Sequence, residues 1–388
     1  FKYKTFLINP YHHDKLFEEI INKNKLIEDS LVLADSGGLQ EITLNEVKHF
    51  PDEVFEWQQK FSNIGLSVDS LPFITPKGGT NKPGSFGGWL FDSENFDKHA
   101  LKSKDNIDVT KKKRDRNKYP DFKFYGIIQG RQYSEYKRWY DIIKKGNEDY
   151  LDGYGVKAPN TNPVTLAETC IFVIKNIDKP VHFLGIGNMS RAIVIYYAKR
   201  YMDNFITFDS SSYDIGTQYR SYLLPFMMNK KLRFVSQHNL GEDSEVTDET
   251  DIVYFKDASK LCDCIVCRSI GDDLGKMIEE NDSKLGGLIS VHNFILNVRW
   301  NHYIKNIMQQ KVYDKKLDDV RYATIEEMPK VKEFVKFNFQ GHLSDKILTA
   351  FRMIDLAMGK GHEYALKTYR DYIDINTDGG KQKGLFDF

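Results

Sequence analysis

Cysteine is scarce in this chain, neither charge is in excess, and long apolar runs are missing. Four cysteines among 388 residues do not make a disulfide scaffold. The 55 basic residues balance the 55 acidic ones, which excludes a uniformly basic nucleic-acid coat and an acidic tail but allows a local basic groove. No run approaches the roughly 20 apolar residues of a membrane-spanning helix, and no basic-then-apolar signal opens the chain. We therefore expect a cytoplasmic protein with no membrane partner.

Short apolar runs alternate with helix-like patterns over the first 235 residues. The predicted strands are residues 31–34, 66–68, 124–128, 154–156, 181–186 and 205–208, with a seventh candidate at 232–235. Predicted helices between them include residues 135–145 and 191–202. Strands that alternate with helices form parallel sheets. The number of such units favours an α/β fold of the (β/α)8 TIM-barrel type over an open sheet.

Polar residues follow several predicted strands where each strand ends. They are Asp35-Ser36-Gly37-Gly38, Asp69-Ser70, Gln129-Gly130, Gly185-Ile186-Gly187 and Asp209-Ser210. In a barrel these positions surround one end, where active sites are built. A single Asp in such a place is commonly the N-cap of the next helix. Three Asp and one Gln at equivalent places favour a shared polar pocket instead.

Two segments depart from the alternation. Residues 76–95 are rich in Gly and Pro and predict a long loop of the kind that covers or lines a binding site. Residues 111–118 (KKKRDRNK) form a basic run. This run is either a solvated surface loop or a patch that contacts phosphates.

A cluster of possible metal ligands lies in the last third of the chain. Cys262, Cys264 and Cys267 fall within six residues, and His292 follows near the start of a predicted helix over 289–310. Three thiolates and one imidazole make a closed tetrahedral Zn2+ site, which is structural because no coordination position stays open. The alternative is idle buried cysteines beside a core histidine. Because cysteine is otherwise scarce, the zinc interpretation is preferred.

Four segments, in a consistent order, resemble the tRNA-guanine transglycosylase superfamily. They are Asp35-Ser36-Gly37-Gly38-Leu39-Gln40, Gly126-Ile127-Ile128-Gln129-Gly130, Leu184-Gly185-Ile186-Gly187 with Phe208-Asp209-Ser210, and the Cys-x-Cys-x2-Cys…His spacing. The resemblance implies a (β/α)8 barrel with a zinc-binding insertion near its carboxyl-terminal end. The implied domains are residues 1–245 (first part of the barrel core), 246–310 (zinc-binding subdomain with the His-bearing helix) and 311–388 (helical region packed on the barrel).

The resemblance implies a pentosyl transfer in which guanine in a polynucleotide is exchanged for a 7-deazaguanine base. Asp209 matches the nucleophile, which would form a covalent glycosyl-enzyme, and Asp35 matches the general acid/base. Two displacements at the anomeric carbon would retain its configuration. The residues implied to bind the base are Ser36, Gly37, Asp69, Gln129 and Gly130.

The segments that differ from the tRNA-acting members are those that read the polynucleotide. Residues 210–220 replace a Pro-Thr-Arg segment, and residues 152–159 replace Gly-Gly-Leu-Ala-Val-Gly-Glu. This pattern resembles the DNA-guanine transglycosylases of phages and bacterial modification islands, which insert bases such as 7-cyano-7-deazaguanine into DNA. The expected partners are DNA and a free 7-deazaguanine base, in a bacterial or phage-infected cell.

Three alternatives stay open at this point. One is a divergent tRNA-guanine (queuine-type) transglycosylase with tRNA as its partner, and another is a non-catalytic, zinc-stabilised nucleic-acid-binding subunit. A homodimer is also open, since tRNA-acting relatives form dimers through the zinc region. Candidate groups for contacts to the nucleic acid are residues 111–118, Lys199, Arg200, Trp89, Phe91 and Tyr213.

Overall fold

The computed structural model describes residues 5–9, 31–37, 50–74, 90–158, 162–186, 189–209, 221–223, 234–236, 262–271, 284–339 and 341–373. The chain forms two compact units that interleave along the sequence. The first comprises Phe1–Gly185, Tyr201–Asp209 and His362–Phe388, and the second comprises Ile186–Arg200 and Ser210–Gly361. The predicted division at residues 245 and 310 stays a prediction, and both of its boundaries lie within the second unit. No helix in the described part of the chain is long and apolar enough to cross a membrane.

The first unit is an α/β fold built on a parallel sheet. Its strands are β1 (Thr5–Ile8), β2 (Leu31–Ala34), β3 (Ile64–Leu66), β4 (Phe73–Ile74), β5 (Leu90–Phe91), β6 (Lys123–Ile128), β7 (Gly153–Lys157), β8 (Val181–Leu184) and β9 (Ile206–Phe208). Among the described residues, seven of these strands form one parallel sheet in the order β1-β2-β3-β6-β7-β8-β9, curled as half of a barrel. Strands β4 and β5 pair separately and antiparallel. All carboxyl ends of the seven strands therefore meet at one edge, here termed the carboxyl rim.

Helices follow the strands in the order that the sequence pattern predicts. They are α1 (Pro51–Phe61), α2 (Phe96–Thr110), α3 (Tyr133–Lys144), α4 (Pro163–Asn176), α5 (Met189–Lys199), α6 (Ile265–Ile270), α7 (Leu285–Met308), α8 (Pro329–Asn338), α9 (His342–Lys360) and α10 (His362–Thr368). Helices α1 to α4 and α10 belong to the first unit, and α5 to α9 belong to the second. Helix α4 shows why they begin where they do. Pro163 occupies its first turn, and the Asn162 side chain accepts hydrogen bonds from two backbone amides of that turn.

One face of the sheet carries an apolar cluster. Its buried members are Leu33, Ile64, Leu66, Tyr125 and Ile127. Because side chains alternate between the two faces of a strand, Asp35 and Gln129 lie on the same face as Leu33 and Ile127, two positions earlier. The sheet therefore changes from apolar to polar along that face as it reaches the carboxyl rim.

Aromatic side chains of the helices cover parts of the sheet. Phe55 of α1 meets Phe124 of β6 edge-on, with 4.7 Å between the ring centroids. The Trp139 indole of α3 is fully buried and donates a hydrogen bond to the carbonyl of Ile127 at 2.9 Å. This pairing satisfies the polar atom of a large buried ring and fixes α3 against β6.

The second unit combines helices with two short hairpins. The hairpins are β10 (Ser221–Leu223) with β11 (Phe234–Ser236), and β12 (Lys311–Asp314) with β13 (Asp319–Tyr322). The Tyr197 ring of α5 stacks on Phe351 of α9 at 4.0 Å, and its hydroxyl donates to Asp355. The Arg200 guanidinium is buried, donates to the carbonyl of Ala323 at 2.7 Å and lies over the Tyr197 ring. These contacts hold α5, α9 and the segment after β13 together.

Most of the predicted elements are confirmed, with ends that differ by at most four residues. The seventh predicted strand is wrong in its placement, because residues 234–236 form β11 of an antiparallel hairpin rather than a strand of the sheet. The remaining strand of the sheet is β1, which the sequence analysis missed. A four-residue apolar run is too short for periodicity to distinguish strand from helix. Residues 76–89 of the predicted loop lie outside the described residues, and the remainder, residues 90–95, contains β5.

A buried carboxyl in α4 gives a stability prediction. Burial raises the pKa of Glu168 to about 7, although its Oε1 accepts a hydrogen bond from the Tyr133 amide at 2.7 Å. The folded state thus holds this proton more tightly than the unfolded state, and stability falls as the pH rises from about 4.5 through 7. Glu168→Gln should unfold at a higher denaturant concentration than wild type at about pH 8, by up to about 3 kcal/mol, with no gain near pH 4.

The control is Glu363→Gln, an exposed carboxylate of α10, which should leave the unfolding curve unchanged at both pH values. Equal curves for wild type and Glu168→Gln at the higher pH would contradict the prediction.

Candidate functional site

The carboxyl rim brings together the four residues predicted to do the chemistry. Asp35 directly follows β2, Asp69 follows β3 by three residues, Gln129 directly follows β6, and Asp209 directly follows β9. The negative charge of Asp209 acts on Asp35, and that of Asp35 acts on Asp69. Gln129 Nε2 donates to Asp69 Oδ2 at 2.6 Å. These groups therefore form one polar cluster within the first unit.

Asp35 is held in a defined orientation. Its Oδ1 accepts the Ser36 amide at 2.8 Å, and its Oδ2 accepts Asn9 Nδ2 at 2.9 Å. Burial raises the pKa of Asp35, the charge of Asp209 adds to that effect, and the two hydrogen bonds only partly offset it. A carboxyl in this state retains its proton more readily than an exposed one and is suited to act as a general acid.

A glutamine of α1 fixes the strand ends beneath Asp35. Gln58 is almost fully buried, and its Nε2 contacts three backbone oxygens, those of Ala34 at 3.2 Å, Asp35 at 3.1 Å and Leu66 at 2.8 Å. A Cβ at Gly65 would lie only 2.6 Å from Gln58 Oε1, so this packing requires glycine. The sequence analysis missed Gln58. The only available signal was a polar residue on the apolar face of α1.

Asp69 and Gln129 form a buried acceptor and donor pair. Burial raises the pKa of Asp69 to about 6, the Gln129 amide opposes this, and the charge of Asp35 supports it. Both side chains are almost entirely buried. An acid and an amide held side by side can accept from an amidine-like N–H pair and donate to a carbonyl, which is the pattern of a guanine edge.

The pKa of Asp209 is shifted in the opposite direction, below its usual value. Its Oδ1 accepts the Gly185 amide at 2.7 Å, and His182 Nε2 lies 3.4 Å from the same oxygen. Burial acts to raise the pKa of Asp209, but His182, the Gly185 amide and Lys157 together hold it below its usual value. The Asp209 carboxylate is therefore stabilised as an anion.

His182 was not predicted, and strand register explains its place. His182 of β8 pairs directly with Thr207 of β9, and their Nδ1 and Oγ1 atoms are 2.8 Å apart. When Nδ1 accepts the Thr207 hydroxyl proton, Nε2 carries the hydrogen that faces Asp209. Asp209 lies two positions beyond Thr207, so all three side chains share one face of the sheet.

The other predicted base-binding residues also lie at the carboxyl rim. Ser36 is buried, and Gly37 has a φ of +75°, which favours glycine. A Cβ at Gly130 would lie 2.9 Å from the Tyr136 amide nitrogen, so no side chain fits there. Gly38, Leu39, Gln40, Gly187 and Ser210 of the quoted motifs lie outside the described residues.

A second hydrogen-bonded chain lies next to Asp69 and was also missed. Ser70 Oγ is 2.8 Å from His99 Nδ1, and His99 Nε2 is 3.3 Å from Asp92 Oδ2. The Ser70 amide donates to Ser103 Oγ of α2 at 2.8 Å. These contacts connect the residue after Asp69 to α2 and to the segment after β5, which fixes the backbone that carries Asp69.

The basic run over 111–118 lies at the opposite edge of the sheet. Arg114 donates to Asp152 Oδ2 at 2.6 Å, and that oxygen also accepts the Phe124 amide near the start of β6. Lys113 pairs with Glu56 at 2.7 Å. Arg200, another candidate for backbone contacts, is buried within the second unit. Phe91 packs under the Arg131 guanidinium at 3.7 Å, whereas Trp89 and Tyr213 lie outside the described residues.

The second unit contains the predicted metal ligands as one buried cluster. Ligand atoms of Cys262, Cys264, Cys267 and His292 all lie within 4.8 Å of one another. His292 Nδ1 is 3.3 Å from the sulfurs of both Cys264 and Cys267. A tetrahedral zinc ion, with bonds of about 2.3 Å to sulfur and about 2.0 Å to nitrogen, would separate such atoms by about 3.5 Å. The cluster is therefore compatible with a zinc site.

Local geometry also suits a metal ligand at Cys264. This residue precedes α6, and its sulfur accepts the Cys267 backbone amide at 3.3 Å. A backbone amide directed at a ligand sulfur is a common second-shell interaction that stabilises a thiolate. His292 lies in the second turn of α7, so the cluster joins α6 to α7.

No known protein-family model matches this chain, and no curated protein is significantly similar to it.

Substitutions of Asp69 and Asp209 should change stability in opposite directions. Ionised Asp69 opposes folding above about pH 6, so Asp69→Asn should be more stable than wild type at about pH 8, by up to about 3 kcal/mol, and the gap should close as the pH falls toward 4. The lowered pKa of Asp209 contributes stability that is fully present above pH 3.8, the ordinary pKa of aspartate. This stability is lost as the pH falls through the pKa that Asp209 has in the folded state. Asp209→Asn should therefore be less stable than wild type at about pH 8. Denaturant unfolding across pH measures both, and a shift of the same sign in the two variants would refute the assignment.

Metal content tests the cysteine cluster. Purified protein should contain about one zinc ion per chain, and chelation should lower its thermal unfolding midpoint, because a metal bound only to the folded state stabilises it. Cys264→Ser should lose the zinc and the sensitivity to chelator. Cys170→Ala, which removes a buried cysteine outside the cluster, should keep both. A wild-type protein that contains no zinc and whose thermal unfolding midpoint does not change with chelator would rule the site out.

Proposed function

We propose that this protein is a DNA-guanine transglycosylase, which exchanges guanine in DNA for a 7-deazaguanine base such as 7-cyano-7-deazaguanine. The observation that carries the proposal is the composition of the carboxyl rim. Asp209 is stabilised as an anion, the pKa of Asp35 is raised, and Asp69 pairs with Gln129 at the same rim. Carboxyl groups whose pKa values are driven apart can divide the roles of nucleophile and acid.

The proposed reaction consists of two displacements at C1′ of the target nucleoside. An Asp209 oxygen bonds to C1′ as the bond to guanine N9 breaks, and the bonding electrons leave with the purine. The Asp35 carboxyl supplies the proton that neutralises the departing base. The incoming base then loses a proton to Asp35, its nitrogen bonds to C1′, and the bond to Asp209 breaks. The phosphodiester bonds stay intact throughout.

Asp69 and Gln129 would hold the base in both halves of the reaction. Guanine presents N1–H and an exocyclic amino group as donors and O6 as an acceptor, and 7-deazaguanines keep this edge. Asp69 would accept from the two donors, and Gln129 would donate to O6. The target nucleotide must leave the base stack to reach such a pocket.

The same proposal includes the finer structural expectations. A complete (β/α)8 barrel would close the seven-stranded half-barrel, and the cysteine cluster would hold a structural zinc ion. DNA is preferred to tRNA because residues 210–220 and 152–159 differ from the segments of tRNA-acting enzymes. A homodimer and a cytoplasmic location belong to the proposal as well.

Covalent trapping tests the proposed nucleophile. Wild type incubated with guanine-containing duplex DNA should give a band on a denaturing gel that contains both protein and DNA, and Asp209→Asn should give none. Asp141→Asn, an exposed carboxylate of α3, is the matched control and should form the adduct normally. Base exchange at wild-type rate by Asp209→Asn would refute the mechanism.

Substrate choice is tested by measuring the release of labelled guanine from duplex DNA and from tRNA in parallel. Release from DNA alone is the expected result. Preferential release from tRNA would replace DNA with tRNA as the substrate and leave Asp209 as the nucleophile. A chain that exchanges neither would be the non-catalytic binding subunit.

A further inference from the structure

Lys157 is a cation at the carboxyl rim to which the proposed reaction assigns no contact with the base. It is the last residue of β7 and pairs with Leu184 of β8. Its carbonyl accepts the Tyr136 hydroxyl at 2.9 Å, and the next amide donates to the carbonyl of Leu184. The backbone at Lys157 is thus fixed on both sides, which limits the volume that its side chain can reach.

The ammonium group lies over the backbone of Gly185. A Cβ placed on Gly185 would lie 3.0 Å from Lys157 Nζ, and the φ of +74° at Gly185 also disfavours any side chain. The Gly185 amide donates to Asp209, so the lysine lies close to the backbone that orients the proposed nucleophile. Glycine at 185 therefore leaves room for the cation beside Asp209.

The charge of Lys157 reaches both ends of the proposed base site. Its charge acts on Asp209, which would bond to the sugar, and on Asp69, which would bind the far edge of the base. A base that spans the two aspartates would therefore lie within range of this charge.

We propose that Lys157 is a specificity-determining residue, whose ammonium group favours a 7-deazaguanine with an uncharged or anionic acceptor at position 7 over one with a protonated amine there. The inference rests on the proposed function and refines its substrate class. The physical reason is that an ammonium donates to a nitrile or a carbonyl but repels a second cation at close range. The neighbouring carboxylates attract any cation. The effect of Lys157 is therefore measured by the ratio of the affinities for an uncharged and a cationic base, rather than by either affinity alone.

Binding of two probe bases to the full chain, without nucleic acid, tests this role. The probes are 7-cyano-7-deazaguanine and 7-aminomethyl-7-deazaguanine, measured by calorimetry with wild type, Lys157→Met, Lys157→Arg and Lys123→Met. The ratio of affinities, cyano over aminomethyl, should fall roughly tenfold or more in Lys157→Met, as expected for the loss of one charge at close range. Lys157→Arg keeps the charge and should keep most of the ratio.

Lys123→Met is the matched control, because Lys123 is exposed at the first residue of β6, at the opposite edge of the sheet. It should leave the ratio unchanged. A ratio in Lys157→Met equal to that of wild type would overturn the role of Lys157, while covalent trapping through Asp209 could still succeed. Failure of wild type to bind either base would overturn the role of Lys157, and absence of an adduct in the trapping assay would separately overturn the proposed function.

Discussion

Three carboxyl groups lie together at the carboxyl rim, with Asp69 buried and Asp35 and Asp209 half-buried. They cannot all be ionised without cost, and the chemistry proposed for this protein depends on how that conflict is resolved. The sheet places His182, the Gly185 amide and Lys157 around Asp209. Asp35 and Asp69 have weaker compensation, and burial raises the pKa of both. Asp209, at the end of β9, is therefore the most readily ionised of the three, and the carboxyl groups after β2 and β3 hold a proton to higher pH.

The supporting residues act by fixing backbone rather than by adding charge. Gln58 bridges the ends of β2 and β3, and the chain from Ser70 through His99 to Asp92 fixes the residue after Asp69. Each uses hydrogen bonds to buried groups that would otherwise be unsatisfied. A pocket built on anchored strand ends can hold side chains within the small tolerances that catalysis requires.

The sequence was sufficient to predict that Asp35, Asp69, Gln129 and Asp209 lie at one edge of the sheet, since each follows an apolar run and parallel strands end at a common edge. It also identified the cysteine and histidine cluster from spacing alone. His182 and Lys157 could not be found in that way, because their importance arises from which residues are paired across β7, β8 and β9. The basic run over 111–118 has the composition of a phosphate-binding patch, yet Arg114 and Lys113 pair with acidic side chains at the far edge of the sheet.

The interleaving of the two compact units along the chain has a consequence for biosynthesis. Strand β9, at one edge of the parallel sheet, is made only after α5, a helix that belongs to the other unit. No single truncation point divides the polypeptide into two intact halves. As the chain emerges from the ribosome, the sheet cannot be completed until its last strand, followed by Asp209, has been made. By then part of the second unit is already synthesised.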